Sequence, residues 1–261
     1  MHSVSVIVTT YNRKKYLEHT LAQYKKIDAG YPYKLIVCDD FSTDGTQQYL
    51  LDNPHLYDSL FLSKANLGVT NSRNQGIIQN PADFYVLVDD DTTHTEGWLY
   101  QMIMILTTWK DIGSVTSQRP LYELLEHPHI YSALDLQLIK KDDIQAMLIK
   151  YIGSCMAFSH DIWNKVGPHA HNEKRSSICR YSHRITKAGY KVARTFPAYS
   201  ESIDMPTHPL SLRFTELNDS YTKQVAPVEM QNNTHYNNGI DECMRFYATH
   251  QINDVGFVVE I

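Results

Sequence analysis

Residues 84–94 read FYVLVDDDTTH. Five strand-forming apolar residues, Phe84, Tyr85, Val86, Leu87 and Val88, stop abruptly at three adjacent carboxylates, Asp89, Asp90 and Asp91. Like charges side by side repel, so folding gains nothing from the triplet unless something positive sits among them. A divalent cation is the simplest such partner. Hard oxygen donors suit Mg2+ or Mn2+, which reach proteins through one or two carboxylates plus substrate phosphates. A solvated acidic turn is the competing reading of the triplet alone, and the surrounding chain has to choose between the two.

Upstream, the same design occurs twice more. The β-branched run VSVIVTT at residues 4–10 ends in Thr9, Thr10, Tyr11 and Asn12, and LIVC at 35–38 ends in Asp39 and Asp40. Leu60, Phe61 and Leu62 make a further short strand. Between these strands, Leu17, Leu21, Tyr24 and Ile27 recur at helical spacing with Asn12 as N-cap. Asp44 and Gln47 have capping-box spacing ahead of a second helix. A third helix follows Gly68 and ends before Pro81. This β-α-β-α-β-α-β alternation predicts a parallel sheet with right-handed crossovers. Ligands bind such sheets beyond the carboxyl ends of the strands, so the three polar clusters should converge on one edge.

The chain has 261 residues, 43% of them hydrophobic and 20% charged, enough for a sizeable core without disulfide or metal staples. A net charge of -5, from 24 basic and 29 acidic residues, argues against gripping nucleic acid. Cys38, Cys155, Cys179 and Cys243 are widely separated with no CxxC pair, which reads as free thiols in a reducing compartment. No signal peptide is legible at the start, and no run approaches the ~18 apolar residues of a membrane span. The expectation is a cytoplasmic protein.

Neither GxGxxG nor GxxxxGK[ST] occurs, so a nucleotide would have to be held by metal and side chains. An ion at Asp89–Asp91 could take a pyrophosphate, and the carboxylates after the second strand could take base or ribose. Arg73, in the first turns of the helix after Gly68, aims a guanidinium at the same edge, where it could contact phosphate or base bidentately. A solvated helix arginine is the alternative.

Further along, Trp98, Leu99, Met102, Ile103 and Leu106 form a helix stripe that packs on the sheet, and residues 115–117 form a strand. Residues 142–149 read as an amphipathic helix and 151–158 as a strand, with Ser159 capping a short helix closed by Gly167 and Pro168. Ile178, Tyr181, Ile185 and Ala188 share a helical face before a last strand at 190–193. From about residue 207 the chain is polar and reads as an appended helix with loops over the site.

With these residues in place, the chain resembles the family 2 glycosyltransferases of the GT-A fold, from residue 4 to about 193. VSVIVTTYNR is similar to the family's opening strand, VCDDFSTDGT to its second-strand signature, and NLGVTNSRNQGI to its third-helix signature. YVLVDDD resembles its DxD element and GSCMAFSHDIWNKVG its acceptor-side strand and helix. The resemblance implies an α/β, Rossmann-like, mostly parallel sheet flanked by helices. It places a glycosyltransferase domain at 1–206, with a nucleotide-sugar half at 1–94 and an acceptor half at 95–206, and an extension at 207–261.

The implied reaction moves a sugar from a nucleotide diphosphate donor to a hydroxyl of a glycan or lipid-linked saccharide, in the cytoplasm or at the inner face of the membrane. Thr9, Tyr11 and Asp39 would hold the base, often uracil, and Arg73 would support base or diphosphate. Asp89 and Asp90 would lie by the ribose, while Asp91 would bind the Mn2+ or Mg2+ that bridges the diphosphate, with His208 completing the metal shell. One departure stands out. Where inverting relatives carry a Glu-Asp pair that supplies the base, this chain has Ser177 and Ile178. Glu173 is the favoured substitute base, with Asp161, His169 and His171 as the other groups nearby. The missing pair also leaves room for a retaining mechanism, or for an inactive domain that binds donor or a partner enzyme without turnover. A nucleotidyltransferase would normally show a glycine-rich first loop, which TTYNRKK is not.

Overall fold

The computed structural model describes residues 1–118, 137–149, 152, 155–170, 177–202, 250–252 and 258–260. Two units divide the chain, Met1–Gln118 with Leu136–Ser200, and Arg119–Asp135 with Glu201–Ile261. The first is an α/β fold. Its strands are β1 (Val4–Thr10), β2 (Lys34–Asp39), β3 (Ser59–Leu62), β4 (Phe84–Asp89), β5 (Thr92–His94), β6 (Ile112–Gln118), β7 (Gln137–Lys141), β8 (Ile144–Ile149), β9 (Met156–Ser159) and β10 (Lys191–Ser202). Its helices are α1 (Lys14–Tyr24), α2 (Thr46–Asp52), α3 (Val69–Gln79), α4 (Trp98–Thr108), α5 (His160–Val166) and α6 (Ser177–Lys187). Of the second unit, β11 (His250–Ile252) and β12 (Val258–Glu260) pair antiparallel. The rest of the expected C-terminal extension, including His208, lies outside the described residues.

The strands form one sheet in the order β3-β2-β1-β4-β9-β6-β10-β8-β7, with β5 pairing β10. β3, β2, β1 and β4 are mutually parallel, and along the nine-strand path β9 and β8 run against the others, so the sheet is mixed but mostly parallel. Side-chain alternation explains why its central strands are apolar throughout. Val6 and Val8 of β1, Val37 of β2 and Val86 and Val88 of β4 join a core with Leu17 and Leu21 of α1 and Trp98 and Met102 of α4. Ile7, Ile36, Tyr85 and Leu87 point the other way, into a core with Ile77 of α3, Ile162 of α5 and Tyr181 and Ile185 of α6. Each fully buried aliphatic or aromatic side chain contributes roughly 1.5–3 kcal/mol.

One helix and two caps differ from the sequence expectations. Residues 142–149 are not an amphipathic helix but the second half of the β7–β8 hairpin. Ala146 belongs to one core and Met147 and Ile149 to the other, so both faces are covered and the apolar run carries no strand period. Asp142, at φ 54, supplies the left-handed residue of the turn. Asn12 does not cap α1, where Arg13 stands at the N-cap without a side-chain bond. Asp44 Oδ1 accepts from Thr46 N at 3.1 Å, but Gln47 turns away to Asp39, so no capping box forms. The Ser159 cap is present, its Oγ accepting from Ile162 N at 3.3 Å.

Gly76 sets the height of α3 above the sheet. A Cβ there would lie 2.7 Å from Ile7 Cγ2 and 3.0 Å from Cys38 Sγ. Gly76→Ala is therefore expected to destabilise the fold by about 1–3 kcal/mol through overpacking, against the gain in helix propensity, and urea unfolding checks it.

Candidate functional site

Register brings the polar strand ends level. Thr10 of β1 lies opposite Asp39 of β2, and Thr9 lies opposite Asp89 of β4. The three clusters that the sequence placed at strand ends therefore do converge on one edge.

Asp39 is 0% exposed. Its Oδ2 accepts from Ser42 N at 2.9 Å and Gln47 Nε2 at 2.7 Å, while Oδ1 is buried with no hydrogen-bond partner. Thr9 Oγ1, on the neighbouring strand, is also buried without one. An unmet buried polar atom costs roughly 1–3 kcal/mol, and one at a strand end that lines a ligand edge fits a polar ligand there; the register sets Thr9 with Cys38 on one face of the sheet and Asp39 with Thr10 on the other. Tyr11, the third residue expected at the base, is half exposed on the loop after β1. That loop is sewn to the one after β2, because Asn12 N donates to Ser42 Oγ at 2.8 Å and Thr43 N donates to Asn12 Oδ1 at 2.7 Å.

The three carboxylates of the triplet have different surroundings. Asp89 is the most open, and its Oδ1 accepts from Arg73 Nη2 at 2.6 Å. Arg73 is itself buried, so it reaches the edge but is held by a protein carboxylate there. Asp90, expected beside a ribose, turns inward at 3% exposure. Thr10 Oγ1 donates to its Oδ2 at 2.7 Å and Arg13 Nη1 to its Oδ1 at 2.9 Å, so both oxygens are taken by protein donors. Burial raises its carboxyl to about 7, opposed by Arg13 and reinforced by Asp91. Asp91 Oδ2 accepts from Arg13 Nη2 at 3.1 Å, and its Oδ1 has only a long 3.4 Å contact with Thr92 Oγ1.

The positive partner demanded by three adjacent carboxylates is thus partly protein. Arg13 spans Asp90 and Asp91 while its guanidinium carbon lies 4.4 Å over the Tyr16 ring. The sequence reading missed Arg13. Its one signal is a basic residue in the loop that the parallel topology carries to the carboxylate edge.

Among the described residues, no group of three or more His, Cys, Asp or Glu gathers as a metal cage. Mg2+ and Mn2+ need only one or two carboxylates where phosphates supply the remaining oxygens. Asp91, with Oδ1 nearly uncommitted, fits that role, and Asp89, two residues before it, is the most open of the three.

Asp40 acts as a strut. Its oxygens accept from Leu67 N at 2.9 Å and Gly68 N at 2.8 Å, fixing the start of α3 and with it Arg73. Burial raises its carboxyl above the usual range despite those bonds.

Two of the alternative bases are excluded by position. Ser159 pairs with Phe84 at the start of β4, so Asp161 stands at the opposite edge of the sheet. It lines a depression of about 600 Å3 there with His2, Asp83, Lys110 and His160. His169 is 1% exposed and stacked 4.1 Å from the Tyr181 ring. Burial, with Arg73 and Arg184 adding to it, holds its imidazole neutral. Ile178 is buried in the core below α6, which accounts for an apolar residue in the slot where a base was sought. Glu173 and His171 lie outside the described residues.

Residues 5–167 match the sequence profile described as Glycosyl transferase family 2. Over 118 residues the chain is 26% identical to a poly-beta-1,6-N-acetyl-D-glucosamine synthase of Staphylococcus epidermidis, a match that covers 44% of this chain and 28% of that protein. Among solved structures, GalNAc-T7 with UDP, GalNAc and Mn2+ superposes with a TM-score of 0.61 at 11% identity, covering 77% of this chain and 43% of that one. S. aureus TarS 1-349 in complex with UDP-GlcNAc superposes with a TM-score of 0.58 at 17% identity, covering 94% of this chain and 73% of that one. At these identities the structures establish the shared fold.

Proposed function

The chain belongs to glycosyl transferase family 2, and on that premise we propose that it transfers a sugar from a UDP-type nucleotide diphosphate donor to a hydroxyl of a glycan or lipid-linked saccharide, with Mn2+ or Mg2+. The work would be done in the cytoplasm, at or near the inner face of the membrane; among the described residues no helix is long and apolar enough to cross it. The observation that carries the donor assignment is Asp39 Oδ1, a buried acceptor without a hydrogen-bond partner at the end of β2. The polysaccharide synthase named above and the structures with UDP and UDP-GlcNAc support a sugar nucleotide at that edge.

In this reading Asp39 accepts the ring N–H of the base, and Tyr11 lies against it. Asp91, with Asp89 beside it, would hold the cation, which supplies Lewis-acid stabilisation of the charge that develops on the departing diphosphate. Arg73 and Arg13 keep the carboxylates apart and oriented, and their positive charge favours the anionic leaving group. Glu173 would take the proton from the acceptor hydroxyl. Incubation with UDP-sugars and Mn2+ tests the reading: release of UDP supports it, and binding without release supports the inactive-domain alternative favoured by Ser177 and Ile178. Glu173→Gln is expected to lower the transfer rate while leaving UDP binding unchanged. Unaltered transfer in that variant removes Glu173 as the base.

A further inference from the structure

Phe41 has no structural reason to be aromatic. It lies in the left-handed region at φ 69, where a bulky side chain is strained and glycine is not. It is also 43% exposed, so burial of the ring does not offset the strain. The backbone on both sides is fixed. Asp40 N donates to Thr10 O at 2.9 Å, and the Asp40 carboxylate is tied to Leu67 N and Gly68 N. On the other side Ser42 N is held by Asp39 Oδ2, and Ser42 Oγ accepts from Asn12 N. Position 41 is thus forced into a conformation that costs least with glycine, yet it carries a large exposed ring. Strain of this kind persists where the surroundings over-determine it and clusters at ligand sites.

The position of Phe41 in the chain indicates what it serves. It is two residues from Asp39, whose buried Oδ1 awaits a donor. The loop opposite, joined through Asn12 to Ser42 and Thr43, presents Tyr11 at 42% exposure. Exposed aromatic residues on the two joined loops, one of them two positions after a buried carboxylate acceptor, suit a planar heteroaromatic that carries a ring N–H. We propose that Phe41 is a binding residue that supplies an aromatic face for the nucleobase of the donor. The inference rests on the sugar-nucleotide reading and goes further by assigning the base contact to a residue whose conformation is otherwise unexplained.

Isothermal titration of UMP, and of UDP with Mn2+, into wild type, Phe41→Gly and Phe41→Trp tests it, with Tm measured for each without ligand. Base-aromatic stacking is sequence-tolerant and substantial, so Phe41→Gly is expected to weaken UMP and UDP alike by about ten-fold. Phe41→Trp should retain wild-type affinity. Phe41→Gly relieves the left-handed strain, so its Tm should stay at or above the wild-type value while affinity falls, a combination that a folding defect does not give. Wild-type UMP affinity in Phe41→Gly overturns the proposal. Loss for UDP but not UMP also overturns it, by moving the contact away from the base. Failure of the wild type to bind either nucleotide overturns the donor reading itself and this inference with it.

Discussion

Replacing Arg13 by glutamine destabilises the fold by about 3–5 kcal/mol at pH 8 in the presence of a chelator, the cost of removing one partner from a buried ion pair. Arg13 holds Asp90 at 2.9 Å and Asp91 at 3.1 Å, and Asp90 is only 3% exposed, which leaves water little room to replace the guanidinium. The pH dependence follows from Asp90. Burial raises its folded value to about 7, against 3.8 for the unexceptional carboxyl. Between those values the folded state binds more protons than the unfolded state, so this group's contribution falls as pH rises through the window and levels off above about 7. Arg13 opposes the rise, and without it the window extends upward. The variant's deficit should therefore be smaller at pH 5 than at pH 8 in guanidinium unfolding. Mn2+ should restore more stability to the variant than it adds to the wild type, because the cation substitutes for the missing charge. Equal deficits at both pH values would assign the loss to the guanidinium's packing over Tyr16.

Asp39→Asn lowers UDP affinity by roughly 10- to 150-fold, the worth of a hydrogen bond to a charged group at about 1.5–3 kcal/mol. The orientation of the new amide is forced. Ser42 N and Gln47 Nε2 both donate to Oδ2, so asparagine must present its carbonyl oxygen to them. Its NH2 then occupies the Oδ1 position and faces the base N–H donor to donor. Stability should change little, because the bonds from Ser42 N and Gln47 Nε2 are kept and the Oδ1 position has no protein partner in either form. Calorimetric titration with UDP, alongside a thermal melt, separates the two effects. Unchanged affinity would take Asp39 out of the base contact.

Much of this arrangement was legible in the sequence because buried parallel strands end abruptly. VSVIVTT, LIVC and FYVLV each stop at polar residues, and the register then aligns those stops. What the hydrophobic period cannot resolve is a strand covered on both faces, and residues 142–149 read as an amphipathic helix for that reason. β5, at three residues, is too short to show any period. Asn12 and Gln47 were assigned local capping roles, whereas the fold uses both in contacts between loops and strand ends. Arg13 and Phe41 went unread because their roles depend on what lies opposite them: a carboxylate 77 residues away in one case, and a backbone clamped from both sides in the other.

The most direct test is a crystal structure with UDP and Mn2+. The account predicts an anomalous manganese peak coordinated by Asp91 and the diphosphate, with the uracil ring N–H within hydrogen-bond distance of Asp39 Oδ1. UDP bound instead in the depression lined by Asp83 and His160 at the opposite edge, or a cation bound away from Asp91, would contradict it.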